Sequence, residues 1–208
     1  FEAGAIDLAA SSANGVIFAA AEGVAAKIIA SVSRESPRGF STTFYVKENS
    51  PIKSVADLKG KTFAATQPAA STDYASRMLL RRHGLVPDKD VKILYAGSTP
   101  AVLTTLKAGN AAAGLMNAPL TFQAQELGLK QILNVTELNI PFIFVGIVTT
   151  RKVIQQKPDA VNRYLRAYTE ALSIIRRDKE TAMKVMAKFM KTDNRQVLES
   201  IYEEHAPV

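Results

Sequence analysis

Phe1-Glu2-Ala3-Gly4-Ala5-Ile6-Asp7-Leu8-Ala9-Ala10-Ser11-Ser12-Ala13-Asn14 aligns without a gap on Leu106-Lys107-Ala108-Gly109-Asn110-Ala111-Ala112-Ala113-Gly114-Leu115-Met116-Asn117-Ala118-Pro119, at a constant offset of 105. Each copy reads as a helix end, then Ala-Gly, a short apolar strand and small polar residues. Two such copies in a chain of alternating strands and helices predict two similar α/β lobes, and lobes enclose a cleft in which small molecules bind.

Outward from this repeat the pattern continues. The sequence predicts strands at Ile6–Ala10, Lys27–Val32, Thr42–Val46, Lys61–Ala65, Val91–Tyr95, Ala111–Met116, Gln131–Val135 and Pro141–Thr149. Between them it predicts helices at Gly15–Glu22 (capped by Asn14), Ser71–His83, Pro100–Lys107 and Leu120–Leu127, with a turn at Ser36–Gly39. This alternation implies parallel-rich sheets. After Thr150 only helices are expected. The first is long, with Pro158 in its first turn and a stripe of Val161, Leu165, Tyr168, Leu172 and Ile175. Lys179–Met190 and Asn194–Glu204 follow, the last capped by Asp193. Met183, Met186 and Met190 share a core-type face. If Thr42–Val46 and Phe142–Thr149 both cross between lobes, residues 1–44 with 147–208 form one lobe and 45–146 the other. A two-strand hinge of that kind suits closure on a ligand.

Composition excludes several functions. The 208 residues carry 26 Lys and Arg against 19 Asp and Glu, a net +7 that reads as mild and spread along the chain. The basic clusters Arg81-Arg82-His83 and Arg176-Arg177 lack interleaved aromatics, so no nucleic-acid partner is expected. No apolar run reaches the roughly 20 residues that span a bilayer. The absence of cysteine removes disulfides, thiol catalysis and Cys-ligated zinc. The two histidines, His83 and His205, read as a helix-end cation and a tail residue. No catalytic residue, metal ligand or cofactor is assigned. The chain opens inside an element, with Phe1-Glu2-Ala3-Gly4 reading as a helix end, so residues upstream read as missing.

The motifs Ile52-x-Ser54-x-x-Asp57-Leu58-Lys59-Gly60-Lys61, Tyr74-x-x-Arg77-x-x-Leu80-x-x-x-Gly84-Leu85-x-Pro87, Leu106-x-Ala108-Gly109 and Val161-x-x-Tyr164-Leu165-x-Ala167 carry a family resemblance. The chain resembles the type-II periplasmic solute-binding proteins of ABC importers, within them the sulfonate, taurine, nitrate and thiamine-pyrimidine-precursor binding group. The likeness runs from the first Ala-Gly motif to about Ala171. The sequence departs from the family at Ala112, where the first copy has Asp7. The resemblance implies an α/β two-lobe clamshell with a helical C-terminal tail. It implies a small polar or acidic organic ligand of sulfonate, nitrate, pyrimidine or carboxylate type, and a membrane permease as partner. A monomer is expected, in the periplasm or lipid-anchored on the extracellular face. Two other functions share the fold: an enzyme acting on a pyrimidine or menaquinone precursor, and the effector-binding domain of a transcriptional regulator. The scarcity of His and lack of Cys weigh against the enzyme.

Ligands of open α/β sheets sit beyond the carboxyl ends of strands. There the sequence places Ser11, Ser12 and Asn14 in one lobe, and Gln67, Ser71, Thr72, Asp73 and Asn117 in the other. The helix starting at Ser71 offers N–H groups without intrahelical acceptors and the positive end of its dipole, a position where the family often holds an acidic group. The plain alternatives are N-caps for Ser11, Ser12, Asn14, Ser71 and Thr72, and turn-holding amides for Gln67 and Asn117. Asp73 opposes a simple anion site and is spaced to pair with Arg77. Phe142 and Phe144 are either an apolar wall near the hinge or core.

Overall fold

A computed structural model describes residues 4–35, 42–139 and 142–206. The predicted turn Ser36–Gly39 and the start of the predicted strand at Pro141 lie outside them, as does the head of the first repeat copy. In the rest of that repeat the two backbones run alike from Gly4 to Ser11 and part after it, Ala13 being helical where Ala118 is in a turn. The strand expected at Ile6–Ala10 forms at Ala9–Ser12, which takes Ser11 and Ser12 into the strand. Gly4 and Gly109, 105 positions apart, both turn left-handed, at φ 71° and 81°. Such a turn favours a residue without Cβ.

The strands form two sheets. The first contains β1 (Ala9–Ser12), β2 (Ala26–Arg34) and β8 (Ile143–Thr150) in the order β1-β8-β2, both pairings antiparallel. The second contains β3 (Thr43–Lys47), β4 (Thr62–Ala65), β5 (Lys92–Tyr95), β6 (Ala113–Met116) and β7 (Leu129–Asn134) in the order β5-β4-β6-β3-β7. Parallel pairing is confined to β5-β4-β6, and β3 runs antiparallel to both its neighbours. The expected parallel-rich arrangement therefore describes the middle of the second sheet only. The helix-linked strands β1/β2 and β6/β7 do run the same way, but each pair flanks a strand from elsewhere in the chain, β8 or β3, that is antiparallel to both, so the ladders themselves are antiparallel.

The second sheet is covered on both faces, and side-chain alternation sorts residues between them. Phe44, Val46, Phe63, Ala65, Ala113 and Leu115 join Leu79 and Leu80 of α2 (Ser71–Arg82) in one core. Their neighbours Tyr45, Ala64 and Met116 point the other way, onto Val102, Leu103 and Leu106 of α3 (Thr99–Ala108) and Ala124 of α4 (Leu120–Glu126). Gly114 faces α3 closely: a Cβ there would meet Leu106 and Val102 at 2.8 Å and the Ala64 carbonyl at 3.1 Å.

The first sheet carries α1 (Ala13–Ala21). From β8 the chain enters α5 (Arg151–Gln156), which the sequence reading did not separate, then α6 (Pro158–Arg177), α7 (Lys179–Met190) and α8 (Arg195–His205). Pro158 opens α6, and α7 has the expected bounds. The cap of α8 is Asn194, which accepts from Val197 N at 3.2 Å, rather than Asp193. On α6 only Val161 is fully buried, and Ile175 is exposed.

Neither strand that brackets the middle of the chain is shared between sheets. The crossings lie just outside them and touch: Glu35 N donates to the Phe142 carbonyl at 3.0 Å. Glu35 is 1% exposed. Its carboxylate accepts from Thr42 N at 3.1 Å and from the Thr42 hydroxyl, so it clasps the far end of its own crossing. Burial pushes this carboxyl above its usual range, against the lowering effect of the two Thr42 hydrogen bonds.

Candidate functional site

α1 and α2 start where the two sheets meet. Ser12 closes β1 and caps α1, its Oγ accepting from Gly15 N at 3.3 Å. This cap was expected from Asn14, which the fold instead places inside the first turn of α1. Ser71 Oγ donates to the Phe144 carbonyl of β8 at 2.5 Å, and the Ser12 and Ser71 oxygens lie 2.9 Å apart. A hydroxyl has one proton to give. Since Ser71 gives its proton to Phe144, Ser12 is the donor between them. The result is a directed chain, Gly15 N–H to Ser12 to Ser71 to the Phe144 carbonyl, which ties both helix starts to the central strand of the first sheet.

The start of α2 is not capped by a side chain. Its N-cap residue is Ala70, so the expectation that Ser71 or Thr72 caps it does not hold. Thr72 instead meets Thr66 through their hydroxyls. Ser71, Thr72 and Asp73 are all buried. The start of α2, the positive end of the helix, is therefore left without a side-chain cap.

Asn14 is 9% exposed, and its side-chain nitrogen is buried with no hydrogen-bond partner. An amide N–H sealed from water without an acceptor costs about 1–3 kcal/mol. It lies one turn from the Ser12–Ser71 contact, on a helix that packs against α2.

Asp73 is occupied within its own lobe. Its carboxylate accepts from Ala69 N at 3.0 Å, Arg77 Nε at 2.9 Å and Tyr95 OH at 3.1 Å. Arg77 also donates to Asp88 at 2.7 Å and to the Tyr95 oxygen at 2.8 Å. The Arg77–Asp73 pair is the i, i+4 contact the spacing predicts. Asp88 leads the interactions that raise the guanidinium, and burial raises the Tyr95 phenol. This network holds Ala69 at φ 59°, a left-handed conformation that residues with a Cβ seldom adopt. It thereby shapes the loop that presents the start of α2.

The remaining predicted residues spread outward. Ser11 pairs with Gly146 in the first sheet. Gln67 is exposed and donates to the Gly97 carbonyl at 2.9 Å, holding its own loop to the next. Asn117 is half-buried just past β6. Phe142 packs against the core of the second sheet, edge-on to Tyr74 at 5.3 Å and 6.2 Å from the buried Phe144, so the core reading of these two aromatics holds. A separate cavity of about 410 Å³ opens between α4 and the α7–α8 corner, bordered by Phe122, Gln123, Glu126 and Asn194. None of the predicted ligand residues lines it. Two features escaped sequence reasoning, the buried Glu35 and the Tyr95 link to Asp73. Nothing in the polar run Ser33-Arg34-Glu35-Ser36 marks Glu35, whose burial follows from its contacts with Thr42 and Phe142. Among the described residues no group of three His, Asp or Glu side chains is placed to hold a metal.

Comparison with known proteins places this junction in context. A family model described as "ABC transporter, phosphonate, periplasmic substrate-binding protein" matches residues 1–202. A protein of Escherichia coli K12, provisionally named as an aliphatic sulfonates-binding protein, is 30% identical over 189 residues, 90% of this chain and 56% of that protein. The riboflavin-binding protein RibY of Chloroflexus aurantiacus is 25% identical over 169 residues, 81% of this chain and 46% of its own. The chain thus spans about half the length of these curated relatives. Among solved structures, the alkanesulfonate-binding protein SsuA of Xanthomonas axonopodis pv. citri, bound to MOPS, superposes with a TM-score of 0.83 at 22% identity. The match covers 99% of this chain and 68% of that one, and it is a likeness of fold.

Proposed function

Because this chain belongs to the periplasmic substrate-binding proteins of ABC transporters, in the phosphonate family, we propose that it captures a small polar or acidic organic molecule at the Ser12–Ser71 junction and hands it to a membrane permease. The family is one of binding proteins, and the chemistry required is recognition without reaction. The two lobes divide at the crossings 35–42 and 135–142, a few residues from the bounds 1–44 with 147–208 and 45–146 read from the sequence. The protein works as a monomer in the periplasm, or tethered by lipid on the extracellular face.

One observation carries this reading: the unpartnered Asn14 amide beside the uncapped start of α2. When the lobes part, the Ser12–Ser71 bond breaks and an acidic group enters. Ser12, Asn14, Ser71 and the first N–H groups of α2 then supply neutral donors, with Ser11, Gln67, Thr72, Asp73 and Asn117 shaping the surrounding loops. Closing on an acceptor group satisfies the Asn14 donor and removes the ligand from water, where each hydrogen bond counts for more. The names of the relatives include both sulfonate and riboflavin binding, so the class of anion is chosen by the rest of the cleft.

The test is a thermal-shift screen of the 208-residue chain against alkanesulfonates, nitrate, pyrimidines and carboxylates. A ligand at one hundred times its Kd adds about 2.7 kcal/mol of stability. Asn14→Leu removes the orphan donor, so the variant melts higher without ligand and loses the ligand-induced shift. A variant that keeps the full shift overturns the assignment of this site.

A further inference from the structure

The net charge of the protein is not spread along it. Residues 151–191 hold eleven Lys and Arg against four Asp and Glu, a net +7, and the remainder holds fifteen of each. The entire excess therefore belongs to α5, α6 and α7, which corrects the dispersed reading of the composition.

Within these helices the acids are unevenly placed. At the start of α7, Glu180 accepts from Arg195 at 2.6 Å, and Lys179 meets Glu203 of α8 at 3.3 Å. From Thr181 to Thr192 there is no acid at all. The buried face of α7 is Ala182 and Met183. Its outer face presents Lys184 and Lys188, one turn apart, beside Val185 and Phe189, also one turn apart. Lys191 follows at the end of the helix. All five side chains are exposed, Val185 at 49% and Phe189 at 78%. Among the described residues no ion pair engages Lys184, Lys188 or Lys191. A lysine in the last turn complements the helix dipole, which accounts for Lys188 but not for Lys184, nor for an exposed phenylalanine between lysines.

We propose that the outer face of α7 docks the protein on an anionic lipid bilayer. A row of lysines beside a row of apolar side chains is the arrangement that lies in a membrane interface, with rings in the headgroup–acyl boundary and ammonium groups among lipid phosphates. Charge complementarity selects the surface: each lysine near an anionic leaflet adds about 1 kcal/mol of attraction, roughly fivefold in partitioning. The contact is one of surface charge and shallow insertion, which salt reverses. It would keep the protein in the plane where a permease is met.

The experiment is co-sedimentation of the 208-residue chain with phosphatidylglycerol-containing vesicles and with phosphatidylcholine vesicles. The protein pellets with the first and not the second, and added salt releases it. Lys184→Glu with Lys188→Glu lowers partitioning at least about tenfold. Phe189→Ser weakens binding while leaving its salt dependence. Both variants alter exposed positions, and an unchanged melting temperature verifies their fold. Equal binding to both vesicle types overturns the proposal, as does wild-type binding by the double lysine variant. Binding to soluble polyglutamate without binding to phosphatidylglycerol vesicles assigns the face to an acidic protein partner and also overturns it.

Discussion

The hydroxyl oxygens of Ser12 and Ser71 stand 2.9 Å apart although 59 residues separate them in the chain. Ser71 also donates to Phe144, 73 residues further on. Three distant segments thus meet in a line of hydrogen bonds with a fixed direction. The contact spans the two sheets, so it measures their closure.

Removing either hydroxyl loosens that closure by different amounts. Ser71→Ala is expected to cost about 1–2 kcal/mol, a hydrogen bond with its buried partner left behind. Ser12→Ala also removes the cap of α1, adding about 1 kcal/mol. A double-mutant cycle in urea then gives a coupling of about 0.5–3 kcal/mol between the two positions. Strict additivity would mean that the hydroxyls do not meet in solution.

Glu35 gives the crossing a pH dependence. Its carboxyl is raised by burial above the ordinary value of 4.5, so the folded state holds its proton where the unfolded state releases it. The unfolded chain then binds fewer protons, and this group makes stability fall as pH rises from 4.5 through the raised value. Glu35→Gln keeps the shape and an acceptor for Thr42 without the charge. Its stability relative to the native protein is expected to grow across that interval and level off above it, as read from melting temperatures in a pH series. A difference that does not change with pH would place the charge in water.

Asp73 and Asp88 both bind Arg77, yet their removal is expected to differ. The Asp73 side chain is 7% exposed and serves three donors, so Asp73→Ala strands them at about 2–4 kcal/mol. The Asp88 side chain is 60% exposed, and its loss costs under about 1 kcal/mol. Denaturant midpoints compare the two, and equal losses would contradict the burial argument. The Asp73 variant also frees Ala69 from its left-handed turn, so it weakens ligand binding beyond its effect on stability.

Local signals carried much of this structure. The bounds of α7 follow from its cap Asp178 and its periodicity, and the start of α2 from the small-residue loop that precedes it. The alternation in Phe44-Tyr45-Val46 and Phe63-Ala64-Ala65 places each residue on its correct face. Strand order was not legible, because antiparallel β1-β8-β2 joins residues 109 to 139 apart and no local pattern records which strand comes between. Asn14 looked like a cap because Asn serves that role well, but Ser12 already occupied it two residues earlier. Asp73 had the spacing for Arg77, whereas its bond to Tyr95 depends on how β5 lies beside β4. For the candidate site, the sequence supplied the helix starts and the small hydroxyls. It could not supply the orphaned amide, which exists only once α1 has packed.

The placement of β8 has a consequence for biosynthesis. β1 and β2 do not pair with each other, and the strand that unites them is made only after the whole second sheet. In chain order the five strands of the second sheet, within residues 43–134, all precede β8. Among the described residues β1 and β2 have no strand partner until β8 is made, and open edges are prone to sticking to other chains. Synthesis therefore ends the wait at residues 143–150, and a chain stopped short of them would hold a finished half and an unjoined one.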